Sequence, residues 1–176
     1  MQGTFLKKLI YGAVCVALCQ VLPMITGMIP EIGKALLPMH IPVLLCGFVC
    51  GCGWGAAVGF LSPLMRSLIF GMPHLYPDAV VMSFELCAYG FFAGLLYRRL
   101  PKKPVFVYVS LIASMLLGRA VWGAVKFLVL GIGGTEFPLS AFIAGGFSSA
   151  WIGIVVQIVL LPPAVLALKK ANVICN

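Results

Sequence analysis

Four ionisable side chains, Arg66, Glu85, Arg119 and Lys126, interrupt long apolar runs of the sequence. A charge inside hydrocarbon costs several kcal/mol unless it is paired or solvated, so each of the four needs a partner, water or a ligand. Spacing sorts the polar residues into two faces. Asp78, Glu85 and Tyr89 share a helix face at i, i+7 and i+11, while Arg119, Trp122 and Lys126 share another at i, i+3 and i+7. Arg and Lys can hold a carboxylate or phosphate, and Glu85 and Asp78 can hold an amine or the paired N–H groups of a purine-like ring. Two readings stay open and can coexist: a structural ion pair between Glu85 and Arg119 or Arg66, or a set of groups facing a ligand cavity.

Other side chains fit the second reading. His40 follows Pro38-Met39 and could donate to or accept from a ligand, or serve as a hydrogen-bonded packing histidine. Trp122 and Trp151 could stack a planar solute, although tryptophan is also common at interfaces and in cores. Ser148 and Ser149 beside Gly145-Gly146 are read as packing residues that let helices approach closely. Catalytic patterns are missing from the sequence: there is no Gly-x-Ser-x-Gly elbow, no His-Glu-x-x-His and no phosphate loop able to hold ATP. Neither a metal nor another cofactor is expected, because Cys50-Gly-Cys52 has no second ligand pair at zinc spacing. The seven cysteines are read as small hydrophobes.

These residues must be positioned by a very apolar chain. Of 176 residues 62% are hydrophobic and only 9% charged, with a mean hydropathy of +1.15, which excludes an ordinary soluble domain. A spanning helix needs about 20 apolar residues, so the length accommodates roughly six spans in one transmembrane domain over residues 1–176. The expected fold is an all-α integral membrane protein, a compact bundle of six transmembrane helices. Punctuation by proline, glycine and charge places the spans at about 5–28, 35–50, 51–71, 78–97, 105–131 and 139–168. Asp78 is expected to cap the fourth, accepting from the free amides of its first turn. Within these spans Arg66 lies about 8 Å, Glu85 about 10 Å and Arg119 about 18 Å below the outer ends, and Lys126 is similarly shallow.

The net charge of +8 could suggest nucleic acid, but the cations gather at helix ends without aromatic interleaving, so no nucleic-acid partner is expected. Membrane topology accounts for them. Lys7-Lys8, the Arg98 to Lys103 loop and Lys169-Lys170 hold eight of the twelve cations and fall on one side of a six-span chain, which makes both termini cytoplasmic. Glu31, Asp78 and Glu136 then lie at or near extracellular ends.

With six short spans, the chain resembles the substrate-binding S components of energy-coupling factor (ECF) vitamin transporters over nearly its whole length. Ala13-Val-Cys-Val-Ala17 is similar to the family's small-xxx-small motif on the first helix, and close backbone approach is the physical reason for such a motif. The stretch from Leu37-Pro-Met-His-Ile-Pro-Val-Leu-Leu-Cys-Gly-Phe to Trp54-Gly-Ala-Ala-Val-Gly-Phe-Leu-Ser-Pro-Leu resembles its second span, glycine turn and third span. The resemblance implies a ligand in the outer part of the bundle, under a lid formed by the loop 26–34 with Glu31. It also implies partners: a transmembrane coupling subunit that docks at Ala13 and Ala17, with two ATPase subunits behind it. A B-group vitamin or a queuine-type deazapurine would suit the mixed charges. Two other readings compete, a small intramembrane enzyme using Glu85 and His40 as acid and base and a partner-independent carrier using Glu85.

Overall fold

The computed structural model describes residues 2–26, 37–101, 103–132, 151–171 and 173–174. Six α-helices run through them: α1 (Gln2–Thr26), α2 (His40–Cys50), α3 (Cys52–Phe70), α4 (Val80–Arg99), α5 (Pro104–Ile132) and α6 (Trp151–Lys170). A single wide turn, Leu75–Ala79, leads into α4. Four segments, Thr4–Thr26, Leu75–Arg99, Pro104–Gly131 and Trp151–Lys170, are long and apolar enough to cross a bilayer. α2 is the short member, at 11 residues.

Local chemistry explains where the helices begin and end. Leu37 takes a left-handed backbone (φ 49°) ahead of Pro38, and its carbonyl accepts the His40 N–H at 3.0 Å, a tight turn that sets His40 at the head of α2. α2 and α3 are joined by Gly51 alone, whose φ of 98° suits glycine, while its N–H returns to the Gly47 carbonyl. α3 stops at Gly71, and α4 stops at Leu100, where the following Pro101 favours extended backbone. The start of α4 differs from expectation. Asp78 does not cap it; the His74 carbonyl already accepts the Ala79 N–H at 2.9 Å, so the turn opens upstream and Asp78 falls inside it without a side-chain cap bond.

In lipid, helices associate through close packing rather than through a hydrophobic drive, and this chain achieves it with glycine. Gly55 and Gly59 on α3 and Gly90 and Gly94 on α4 set the two helices backbone against backbone: Gly55 faces Gly90, Gly59 faces Leu86, and Gly94 faces Cys52. A Cβ built on Gly55 would stand 2.6 Å from the Gly90 carbonyl oxygen and 2.7 Å from Gly47 Cα. A Cβ on Gly90 would run into the Gly55 carbonyl, and one on Gly94 into the backbone of Cys52.

α2 and α4 form the centre. On one side Cys15, Cys19, Val43, Cys46, Val58 and Leu86 close a seam with α1 and α3. On the other, Leu44, Phe48, Tyr89, Leu111, Met115 and Leu161 close a seam with α5 and α6. The described cysteines are free thiols filling the first seam as small apolar groups or lying half-buried beside it. The outward faces carry Phe5, Leu68, Phe127, Leu128 and Val159, an apolar exterior suited to lipid.

Candidate ligand-binding site

Most hydroxyls inside the bundle are already spoken for. Ser62, Ser83 and Ser110 each donate to the carbonyl one turn back at 2.7 Å, and Ser114 donates to Leu111 at 2.8 Å. That leaves a small set of polar side chains whose bonding is unusual.

Glu85 on α4 is 2% exposed and receives Arg119 Nη1 from α5 at 2.9 Å. The same carboxylate oxygen lies 3.4 Å from His40 Nε2 at the head of α2. His40 is 1% and Arg119 5% exposed, so three helices bring one acid and two bases together out of contact with lipid. Tyr89, one helical turn beyond Glu85, packs edge-on against His40 with ring centroids 4.9 Å apart. Its other side rests on Gly118, where an added Cβ would meet Tyr89 Cδ2 at 2.6 Å. The missing side chain at Gly118 is what lets α5 deliver the neighbouring Arg119 to Glu85. Trp122 continues the cluster: the Arg119 guanidinium lies 5.9 Å and Lys126 Nζ 5.1 Å from its ring.

Of the residues singled out by spacing, His40, Glu85, Tyr89, Arg119, Trp122 and Lys126 thus converge. Arg66 does not join them. Its Nη1 donates to the Gln20 carbonyl of α1 at 2.8 Å and its guanidinium lies 5.1 Å from the Phe70 ring, so the partner of Glu85 is Arg119. Gln20 in turn donates to the Ser62 carbonyl at 3.1 Å, a polar tie between α1 and α3. Arg66→Met is therefore expected to lower stability by about 1–2 kcal/mol in thermal unfolding while leaving solute affinity unchanged.

Asp78 is half-buried in the wide turn that leads into α4, which Tyr76 ties to the Val129 carbonyl of α5 at 3.2 Å. Trp151 opens α6 with 61% of its surface exposed and makes no ring or hydrogen-bond contact with the cluster among the described residues. Glu31, the rest of the lid loop beyond Thr26, Glu136, Ser148 and Ser149 lie outside the described residues.

A further buried polar side chain carries no charge. Gln157 on α6 is fully buried, and neither its Nε2 nor its Oε1 has a partner among the described residues. The same holds for His40 Nδ1 and for Arg119 Nε and Nη2. Each unmet buried group of this kind costs about 1–3 kcal/mol, more when charged, so a cluster of them is costly unless something else completes it. The signal in the sequence was there: Gln157 is the one amide in the apolar run of α6.

Comparison with known proteins points the same way. A family model for the substrate-specific component of ECF transporters matches residues 7–166. No curated protein and no solved structure matches the chain. Members of that family are membrane proteins that bind small-molecule substrates and work with a membrane coupling subunit and ATPases; it is a transport family rather than an enzyme family. With an all-helical apolar bundle and a match that takes in nearly the whole chain, the protein belongs to the ECF transporter substrate-specific components.

Proposed function

We propose that the chain captures a small water-soluble vitamin or a related heteroaromatic micronutrient from the extracellular side and passes it to a coupling subunit driven by two ATPases. The observation that carries this reading is the set of buried polar atoms left without partners around the Glu85–Arg119 pair. A purely structural ion pair is stable when its remaining donors are satisfied by protein, and among the described residues they are not. His40, Glu85, Tyr89, Arg119, Trp122 and Lys126 form the binding group in this reading. Asp78 lies about two helical turns before Glu85.

The placement of charge supports the direction of transport. Arg98, Arg99, Lys169 and Lys170 end α4 and α6 on one side, and Lys7 and Lys8 open α1 there, as cytoplasmic ends with both termini inside require. The clustered charges belong to the middle and outer part of the bundle. Ala13 and Ala17 lie on an exposed face of α1, where a coupling subunit could approach closely.

The test is native mass spectrometry of protein purified from rich medium without added solute. One small molecule per chain, released on denaturation and rebound without ATP, is the expected outcome. Empty protein that binds none of a broad micronutrient panel would overturn the proposal.

A further inference from the structure

Resting on the capture reading of the same site, we infer that the solute is a small monocarboxylic acid bearing a hydroxyl or N–H group, gripped by the free edge of Arg119 and the amide of Gln157. Arg119 uses Nη1 for Glu85, and its Nε and Nη2 have no partner among the described residues. Those two nitrogens form the side-on edge of the guanidinium, with parallel N–H vectors that fit the two oxygens of a carboxylate. Because Glu85 already holds the far end, the fork is fixed before any solute arrives.

Charge selects the anion further. Glu85 cancels Arg119, and Lys126, packed over the same Trp122 ring, has no carboxylate partner among the described residues. One negative charge from the solute would neutralise the group. A phosphate monoester would bring about −1.5 to −2 and a cationic solute would add to the surplus, each leaving uncompensated charge at membrane depth. Asp78 is not placed to interfere, lying about 10 Å nearer the outer end along its helix.

The neutral groups define the rest of the molecule. The Glu85 oxygen paired to a guanidinium can only accept, so His40 donates to it through Nε2–H, and in the neutral ring Nδ1 is then an acceptor with no partner among the described residues. A solute hydroxyl or N–H answers that acceptor. Gln157 offers both a donor and an acceptor. Measured along each axis from its cytoplasmic end, Glu85, Arg119 and Gln157 all lie about 20 Å up their helices. α5 touches both α4 and α6, and α2, which carries His40, touches α4 and α6.

The experiment measures binding to the purified full-length protein in nanodiscs by calorimetry, using matched acids and neutral partners. Pantothenate is paired with pantothenol and biotin with biotinamide; nicotinate serves as an acid without a hydroxyl or N–H group, and pyridoxine, thiamine and queuine as solutes without a carboxylate. Any co-purified solute identified by mass joins the panel with its own amide. A bound acid whose neutral partner binds about a hundredfold more weakly or worse is the expected result. Equal affinity for acid and neutral partner, or a tightly held solute with no carboxylate, overturns this inference and leaves solute capture standing. Protein that binds nothing and carries nothing overturns both.

Two variants separate binding from folding. Gln157→Leu removes an unpartnered amide at similar volume, so affinity should fall about tenfold while the melting temperature holds or rises. A lower melting temperature with unchanged affinity would instead mark Gln157 as structural and count against its role here. Arg119→Lys keeps the charge toward Glu85 but loses the fork, and should favour the acid over its amide roughly tenfold less than the parent does.

Discussion

Replacing Glu85 with leucine is expected to leave the detergent-solubilised protein about 3–5 kcal/mol less stable or unable to fold, because the Arg119 guanidinium would then be buried with no counter-charge. Replacing both partners, Glu85→Leu with Arg119→Met, should recover most of that loss. Breaking a buried pair strands one charge, whereas exchanging the whole pair for apolar groups of similar volume is often neutral. The recovered double variant should bind no solute. Thermal unfolding read by tryptophan fluorescence, with solute binding measured on the same samples, distinguishes the outcomes. A double variant as unstable as the single one would mean that the pair organises the bundle, and one that still binds solute would remove the pair from the site.

The second large effect belongs to Gly90. A methyl group there meets the Gly55 backbone, and backbone, unlike a flexible side chain, has nowhere to go. Gly90→Ala should cost about 3 kcal/mol or more, at the upper end of overpacking, and Gly90→Val should give no monodisperse protein on size exclusion. Gly53 supplies the control. It lies within α3 with open space at the Cβ position, and Gly53→Ala should be neutral or mildly stabilising, by up to about 1 kcal/mol. If Gly90→Ala matched this control, the close contact between α3 and α4 would not be a source of stability.

Charge was the most legible feature of the sequence. Lipid penalises Glu85 and Arg119 so heavily that their presence in apolar runs announces a partnership, and helical spacing alone aligns Trp122 and Lys126 with Arg119. Arg66 carries the same signal yet belongs elsewhere. Which helix lies beside which is a matter of tertiary packing, and nothing local marks the Gln20 carbonyl as its acceptor. Gln157 escaped notice for a different reason: an amide is less costly in hydrocarbon than a charge, and its significance rests on having no partner, a fact about its neighbours. The Asp78 cap failed because the pattern around it was sound but the turn began earlier, at a backbone carbonyl that no side-chain rule registers. The Gly55/Gly59 and Gly90/Gly94 pairs can each be read from sequence as small-residue faces. Their mutual engagement cannot, since either could have met another helix. The expectation of six helices needed only hydropathy and punctuation, which are local.

The interlocked backbones of α3 and α4 also separate two kinds of evolutionary change. A joint built from main chain offers almost no side chain to vary, so it can stay constant while His40, Arg119 and Gln157, carried on the surrounding helices, are exchanged one at a time. A lineage could in this way acquire appetite for a different nutrient without redesigning the scaffold that presents it.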